Sequence, residues 1–161
     1  MNMFKAILAV VALSFSLNSF ALTDEEYLAL TDAISTGNTK VVKKFMDADP
    51  TLVNQKFFAW EPLQMAASHG NLDTVKYLIA KGADKNYVHP ASENTAFHMA
   101  AFSGNVELIK FLAASGVDVN LKLKGDVSLI RYFRDQEQPD MVKLMESVGV
   151  KDDGCQDEKC F

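Results

Sequence analysis

Three histidines, two cysteines and one aromatic run are the residues here whose types and spacing could do chemistry. His69, His89 and His98 could serve as bases or metal ligands. No Ser, His and acid of the chain fall into a nucleophile–base–acid pattern, and no Gly-rich loop follows a strand to cradle a phosphate. An enzyme is therefore not expected. Cys155 and Cys160 have four residues between them and stand among Asp152, Asp153, Asp157 and Glu158. Two thiolates at that spacing, with neither a second pair nor a histidine, fall short of a zinc site, so no metal or cofactor is expected. In an exported chain the default for such a pair is a local disulfide. A redox-active dithiol is the alternative, although no helix start lies at either sulfur to stabilise a thiolate.

The aromatic run is Phe57, Phe58 and Trp60, within residues 55–60. Rigid rings anchor protein contacts because they bury much area and lose little freedom. Alternation along an extended segment puts Phe57 and one neighbour on opposite sides. Trp60 either packs over flanking helices or joins a contact surface, and the sequence leaves both open. Tyr87 and His89 lie in a second such segment, 87–94, and Lys122 and Lys124 in a third, 121–126. If the segments line up, these residues form one stripe, with Arg131 on the charged helix beyond it. The two lysines read equally well as solvated charge. His69, beside Gly70 at a helix end, suits the helix dipole.

The elements that would align these segments are pairs of short helices. Residues 61–68 and 72–80 have helical patterning, with Gly70 between them and Gly82 at the left-handed stop. Helices this short cannot each bury an apolar face alone, so such a pair needs like neighbours. The sequence supplies them. Gly-Asn pairs begin at 37, 70 and 104, steps of 33 and 34. Lys81-Gly82-Ala83-Asp84 is echoed by Ser115-Gly116-Val117-Asp118, and Asn54, Asn86 and Asn120 close three units. Helices are expected at 23–35, 39–47, 95–102, 106–114, 127–135 and 140–147. Thr23 and Glu26 would form a capping box, with Leu22 and Tyr27 as a hydrophobic staple. Pro50 ends the first unit, and Pro139 fits a helix first turn. Leu63, Met65, Ala66, Val75, Leu78, Ile79, Phe97, Ala100, Leu108, Phe111 and Leu112 recur as core positions.

A 33-residue period of paired helices closed by Gly82-Ala83-Asp84-Lys85-Asn86 and Gly116-Val117-Asp118-Val119-Asn120 resembles the ankyrin repeat. The family's Thr-Pro-Leu-His box is degraded to Glu61-Pro62-Leu63-Gln64 and Thr95-Ala96-Phe97-His98. The resemblance covers roughly residues 25–150. It implies an all-α solenoid of about four helix-turn-helix units, near 24–54, 58–86, 92–120 and 125–150, joined by short projecting fingers. It also implies that His98 hydrogen-bonds backbone between helices. The family usually carries Asp three residues past the closing Asn. Phe57, His89 and Leu123 stand there instead, so irregular fingers are expected, with tips that answer to something other than the fold.

The flanks complete the organisation. Residues 1–21 hold one base, Lys5, then an apolar run and Ser19-Phe20-Ala21. That reads as a cleavable secretory signal, cut between Ala21 and Leu22, and points to a bacterial periplasm. The run is short for a membrane span, so no span is expected after cleavage. Residues 151–161 are a polar tail expected to hold little regular structure. The chain carries a formal net charge of −5, which argues against a nucleic-acid partner. The expected function is protein binding on the concave face and fingers, by a chain that is monomeric when unbound. By resemblance to exported ankyrin proteins, the partner would be a toxin held in check by an immunity protein, or a periplasmic enzyme, catalase-like, served by an accessory factor.

Overall fold

Thr23 sets the first helix. Its hydroxyl accepts the Glu26 N–H at 3.2 Å, and the Glu26 carboxylate accepts the Thr23 N–H at 2.9 Å. The computed structural model describes residues 22–154. The expected signal segment and both cysteines, Cys155 and Cys160, therefore lie outside the described residues. Within them the elements are α1 (Asp24–Thr36), α2 (Thr39–Ala48), a 3-10 turn (Pro50–Asn54), α3 (Pro62–Ser68), α4 (Leu72–Ala80), α5 (Ala96–Ser103), α6 (Val106–Ala114), α7 (Leu129–Asp135) and α8 (Pro139–Ser147). The only β pairing among the described residues is two isolated bridges, Phe57 with Trp60 and Leu123 with Val127.

The helices run in antiparallel pairs, and α1, α3 and α5 stack in chain order as an inner layer. Helix α5 meets α7 through Phe102 and Tyr132, whose rings are 5.1 Å apart. Helix α2 packs on α4 behind them, where the Thr39 and Thr74 hydroxyls share a hydrogen bond at 2.8 Å. Equivalent positions fill the core: Leu30, Leu63, Phe97 and Ile130 are all buried, as are Ala33, Ala66, Ala100 and Phe133. Each large one contributes roughly 1.5–3 kcal/mol by leaving water. The small residues Ala66 and Ala100 let the inner helices approach closely. Met65, Ile79 and Phe111, expected inside, are half-buried instead, because their helices turn that face outward.

Asparagines cross-link the units. Asn71 Nδ2 donates to the carbonyls of Ile34 at 2.8 Å and Ser35 at 2.9 Å, and Asn105 Nδ2 donates to Gly70 O at 3.0 Å. Gly37 (φ 74°) passes so close to Asn71 that a Cβ there would sit 2.7 Å from Oδ1. The closing asparagines form a second row. The side-chain oxygens of Asn54, Asn86 and Asn120 accept the N–H groups of Asp84, Asp118 and Lys151 at 2.9, 2.8 and 2.7 Å. The third of these bonds shows what the start of the tail does. Residues 151–154 have no regular structure, yet they are pinned in the closing turn of the fourth unit, where Lys151 holds the place of Asp84 and Asp118. Asp153 accepts the Ser128 N–H at 3.0 Å, and Asp152 pairs with Arg134.

The helix limits expected at 72–80 and 106–114 are met. The fourth pair starts later than expected because Ser128 caps it, accepting the Arg131 N–H at 3.1 Å, while Val127 belongs to the preceding bridge. Pro50 does more than end a unit. It opens the 3-10 turn, which Asp49 caps and which buries Leu52 and Val53. Among the described residues no helix is long and apolar enough to cross a membrane.

Candidate functional site

Finger 1 is a tight hairpin. Phe57 and Trp60 exchange backbone hydrogen bonds of 2.8 and 3.0 Å, leaving Phe58 and Ala59 as a two-residue turn. Both have left-handed backbone, φ 51° and 68°, the signature of a primed hairpin turn, which normally takes Gly or Asn. The turn throws Phe58 into solvent at 84% exposure, with its ring edge-on to Tyr27 at 5.7 Å. It turns Phe57 the other way, to 2% exposure against Tyr27 at 5.2 Å.

Finger 2 closes through backbone bonds between His89 and Asn94 and between Glu93 and His89. His89 Nδ1 accepts the N–H groups of Ala91 at 3.3 Å and Ser92 at 3.2 Å, which places the ring proton on Nε2. Finger 3 is bridged from Leu123 to Val127, and Lys122 pairs with Asp126 at 2.7 Å. Neighbouring fingers are tied together. The Tyr87 hydroxyl donates to Ala59 O at 2.9 Å, Trp60 stacks on His89 at 4.1 Å, and Lys56 lies 4.9 Å over the Tyr87 ring. Lys124 Nζ donates to Ala91 O at 3.5 Å.

Phe58, Trp60, Tyr87, Lys122 and Lys124 thus lie on the finger side with at least part of each side chain accessible. Two other expected contact residues of the fingers do not. Phe57 and His89 are buried, and so is Leu123 at the equivalent position of finger 3. The fingers keep hairpin geometry without the family's Asp because these three side chains face inward and hold them down. This corrects the expectation of irregular fingers, and at these three positions the residues answer to the fold. Arg131 is also buried, 3.8 Å from Asp135. It stands 33 residues after His98, which stands 34 after Gln64, so all three share the position that braces the following loop.

The bracing is visible in two of them. His98 Nδ1 accepts the Thr95 N–H at 3.1 Å and Nε2 donates to Leu121 O at 2.8 Å. Burial lowers the His98 pKa, partly offset by that carbonyl, so the ring is neutral and structural. Gln64 Nε2 donates to Asn94 O at 2.8 Å. His69 ends α3, exposed, with Nδ1 3.0 Å from Met65 O.

Two features escaped the sequence reading. Asp32, Met65, Met99 and Tyr132 recur at one position of the inner helices, each at least partly accessible, and Phe102 beside them is 39% exposed. The repeat period was the signal that could have found them. The second is Glu61, 4% exposed, whose Oε2 has no hydrogen-bond partner. Burial, and after it the nearby Asp84 carboxylate, push its pKa up to about 7 against the pull of Lys56. Its signal was an acid where Thr95 and Ser128 place hydroxyls.

Helix pairs that stack in chain order and project hairpin fingers define a repeat solenoid. A protein-family model described as ankyrin repeats, in three copies, matches residues 23–122, more than half of the chain. The chain belongs to the ankyrin-repeat family, whose repeats generally mediate protein–protein contact. Its fourth helix pair lies past the matched span. A rabbit (Oryctolagus cuniculus) protein, "Ankyrin repeat, SAM and basic leucine zipper domain-containing protein 1", is 33% identical over 55 residues. That match covers 34% of this chain and 12% of the relative.

Proposed function

We propose that this chain is a non-catalytic protein-binding module of the bacterial periplasm, where it acts as an immunity protein that blocks a toxin. The supporting observation is Phe58. An aromatic side chain 84% exposed at a left-handed turn position is costly by about 1–3 kcal/mol of backbone strain, and inside the folded chain its ring gains only the edge-on contact with Tyr27. A partner's apolar socket would reward it. The locked fingers and the accessible Met65, Met99, Phe102 and Tyr132 side chains give the partner a preformed surface, so little ordering is needed on binding. The apolar leader at residues 1–21 supports the address.

Affinity capture from a periplasmic extract tests the reading. The wild-type chain is expected to retain one protein, and Phe58→Ala to lose it at least about tenfold with unchanged helicity. Capture of a secreted toxin supports the immunity role. Capture of a periplasmic enzyme whose activity rises with the chain points to an accessory factor instead. Equal capture by Phe58→Ala overturns the aromatic-anchor reading.

A further inference from the structure

Glu61 is the first residue after finger 1, at the cap of α3. The same position of the later units holds Thr95 and Ser128, whose hydroxyls accept a backbone N–H and can rotate to suit. Glu61 brings a longer, ionisable group into that space. It is buried, and Oε2 is the one buried side-chain atom among the described residues without a hydrogen-bond partner. Two charged groups act on it: Asp84, from the loop after α4, and Lys56, from finger 1 itself. Asp84 opposes ionisation and Lys56 favours it. The amide nearest along the helix is already committed. Gln64 Oε1 accepts the Glu61 N–H at 3.3 Å, while Gln64 Nε2 donates to Asn94 O and Tyr87 O of finger 2.

A neutral carboxyl can stay in this setting, whereas a carboxylate with an unpaired oxygen and an acidic neighbour is driven toward water. Moving it pulls on the root of finger 1 and on Gln64, which braces finger 2. We infer that Glu61 is a proton-operated latch: protonated, it holds finger 1 against finger 2, and ionised, it releases the root and parts Trp60 from His89. The burial and charge pattern place the change near pH 7. The consequence for binding rests on the proposed contact role of the fingers, but the latch is a property of the free chain.

Trp60 is the only tryptophan of the sequence, so its emission reports finger 1 directly. In the free full chain between pH 5 and 9, the emission is expected to change in one step with a midpoint near 7. Glu61→Gln, the uncharged isostere, is expected to abolish the step. A step that survives in Glu61→Gln overturns the latch. So does a wild-type chain whose emission is flat. Should the Gln variant fail to fold, the Glu61 carboxyl carbon is followed by NMR in the wild type. A carboxyl midpoint above 6 that coincides with the step in Trp60 emission supports the latch, and a midpoint of 6 or below, toward the ordinary glutamate range, overturns it. Both measurements omit the partner, so a failed capture leaves the latch standing and a flat titration leaves the contact reading standing.

Discussion

Trp60 and His89 stack face to face across two fingers, ring centres 4.1 Å apart and planes 28° from parallel. Beside them the Tyr87 hydroxyl reaches Ala59 O, so the second finger holds the first at both its tip and its root. Two loops from successive units therefore behave as one platform, and Phe58 is what the platform displays. A double-mutant cycle between Trp60→Ala and His89→Ala should show a coupling energy of about 0.5–1.5 kcal/mol in urea unfolding. Additivity within about 0.3 kcal/mol would mean that the stack does not join the fingers.

Ala59 sits at φ 68° without a glycine's freedom. Ala59→Gly relieves that strain, and the gain outweighs the added freedom of the unfolded chain. The expected result is a rise of about 0.5–1 kcal/mol, read from the denaturant midpoint. A fall in stability would show that the turn is relaxed as it stands.

Asn71 makes two hydrogen bonds into the preceding unit and Asn105 one. Asn71→Ala leaves two part-buried carbonyls short of a donor and should cost about 2 kcal/mol. Asn105→Ala loses one such bond together with the cap its Oδ1 gives the Leu108 N–H at 3.1 Å, and should cost a similar amount, about 2 kcal/mol. Thermal unfolding of the two variants side by side checks both values. A cost below about 0.5 kcal/mol for either would show that its bond to the preceding unit carries little energy.

Stability should depend on pH through two buried groups with opposite signs. The Glu61 carboxyl is held up to about 7, from 4.5 when unfolded. Its contribution is fully present below 4.5 and is lost as pH rises toward 7, because the unfolded chain gives up the proton first. Glu61→Gln should therefore flatten the fall between pH 5 and 7.

His98 works the other way. Its pKa is lowered from 6.5 by burial, so stability is lost as pH falls below 6.5, where the unfolded chain takes up the proton first. Gln64 makes the same kind of loop bond at the equivalent position, so His98→Gln is the fitting replacement. It should remove the acid side of the curve while costing about 1 kcal/mol at neutral pH. An unchanged acid limb in denaturant titrations would put the effect elsewhere.

Much of the architecture was legible because it is local and repeated. Gly-Asn pairs 33 and 34 residues apart, capping residues at the helix starts and glycines at the stops fix the helix pairs, and stacking follows since no short pair can shield itself. Thr23 and Glu26 form the box their spacing requires. The family resemblance implied that His98 hydrogen-bonds backbone between helices, and the structure places that bond at Leu121 O, in the loop after α6.

The orientation of the fingers was not legible. The sequence determined that Phe57 and a neighbour face opposite ways, but tertiary structure decided that Phe57 goes in and Phe58 out. That choice depends on which side of the hairpin the Tyr27 ring occupies and on the left-handed turn at 58–59, and neither is visible in residue order. The burial of His89, Arg131 and Glu61 was settled in the same way. His89 is covered by Trp60, 29 residues earlier, and Glu61 is opposed by Asp84, 23 residues later, and a sequence names such neighbours only after the units have stacked.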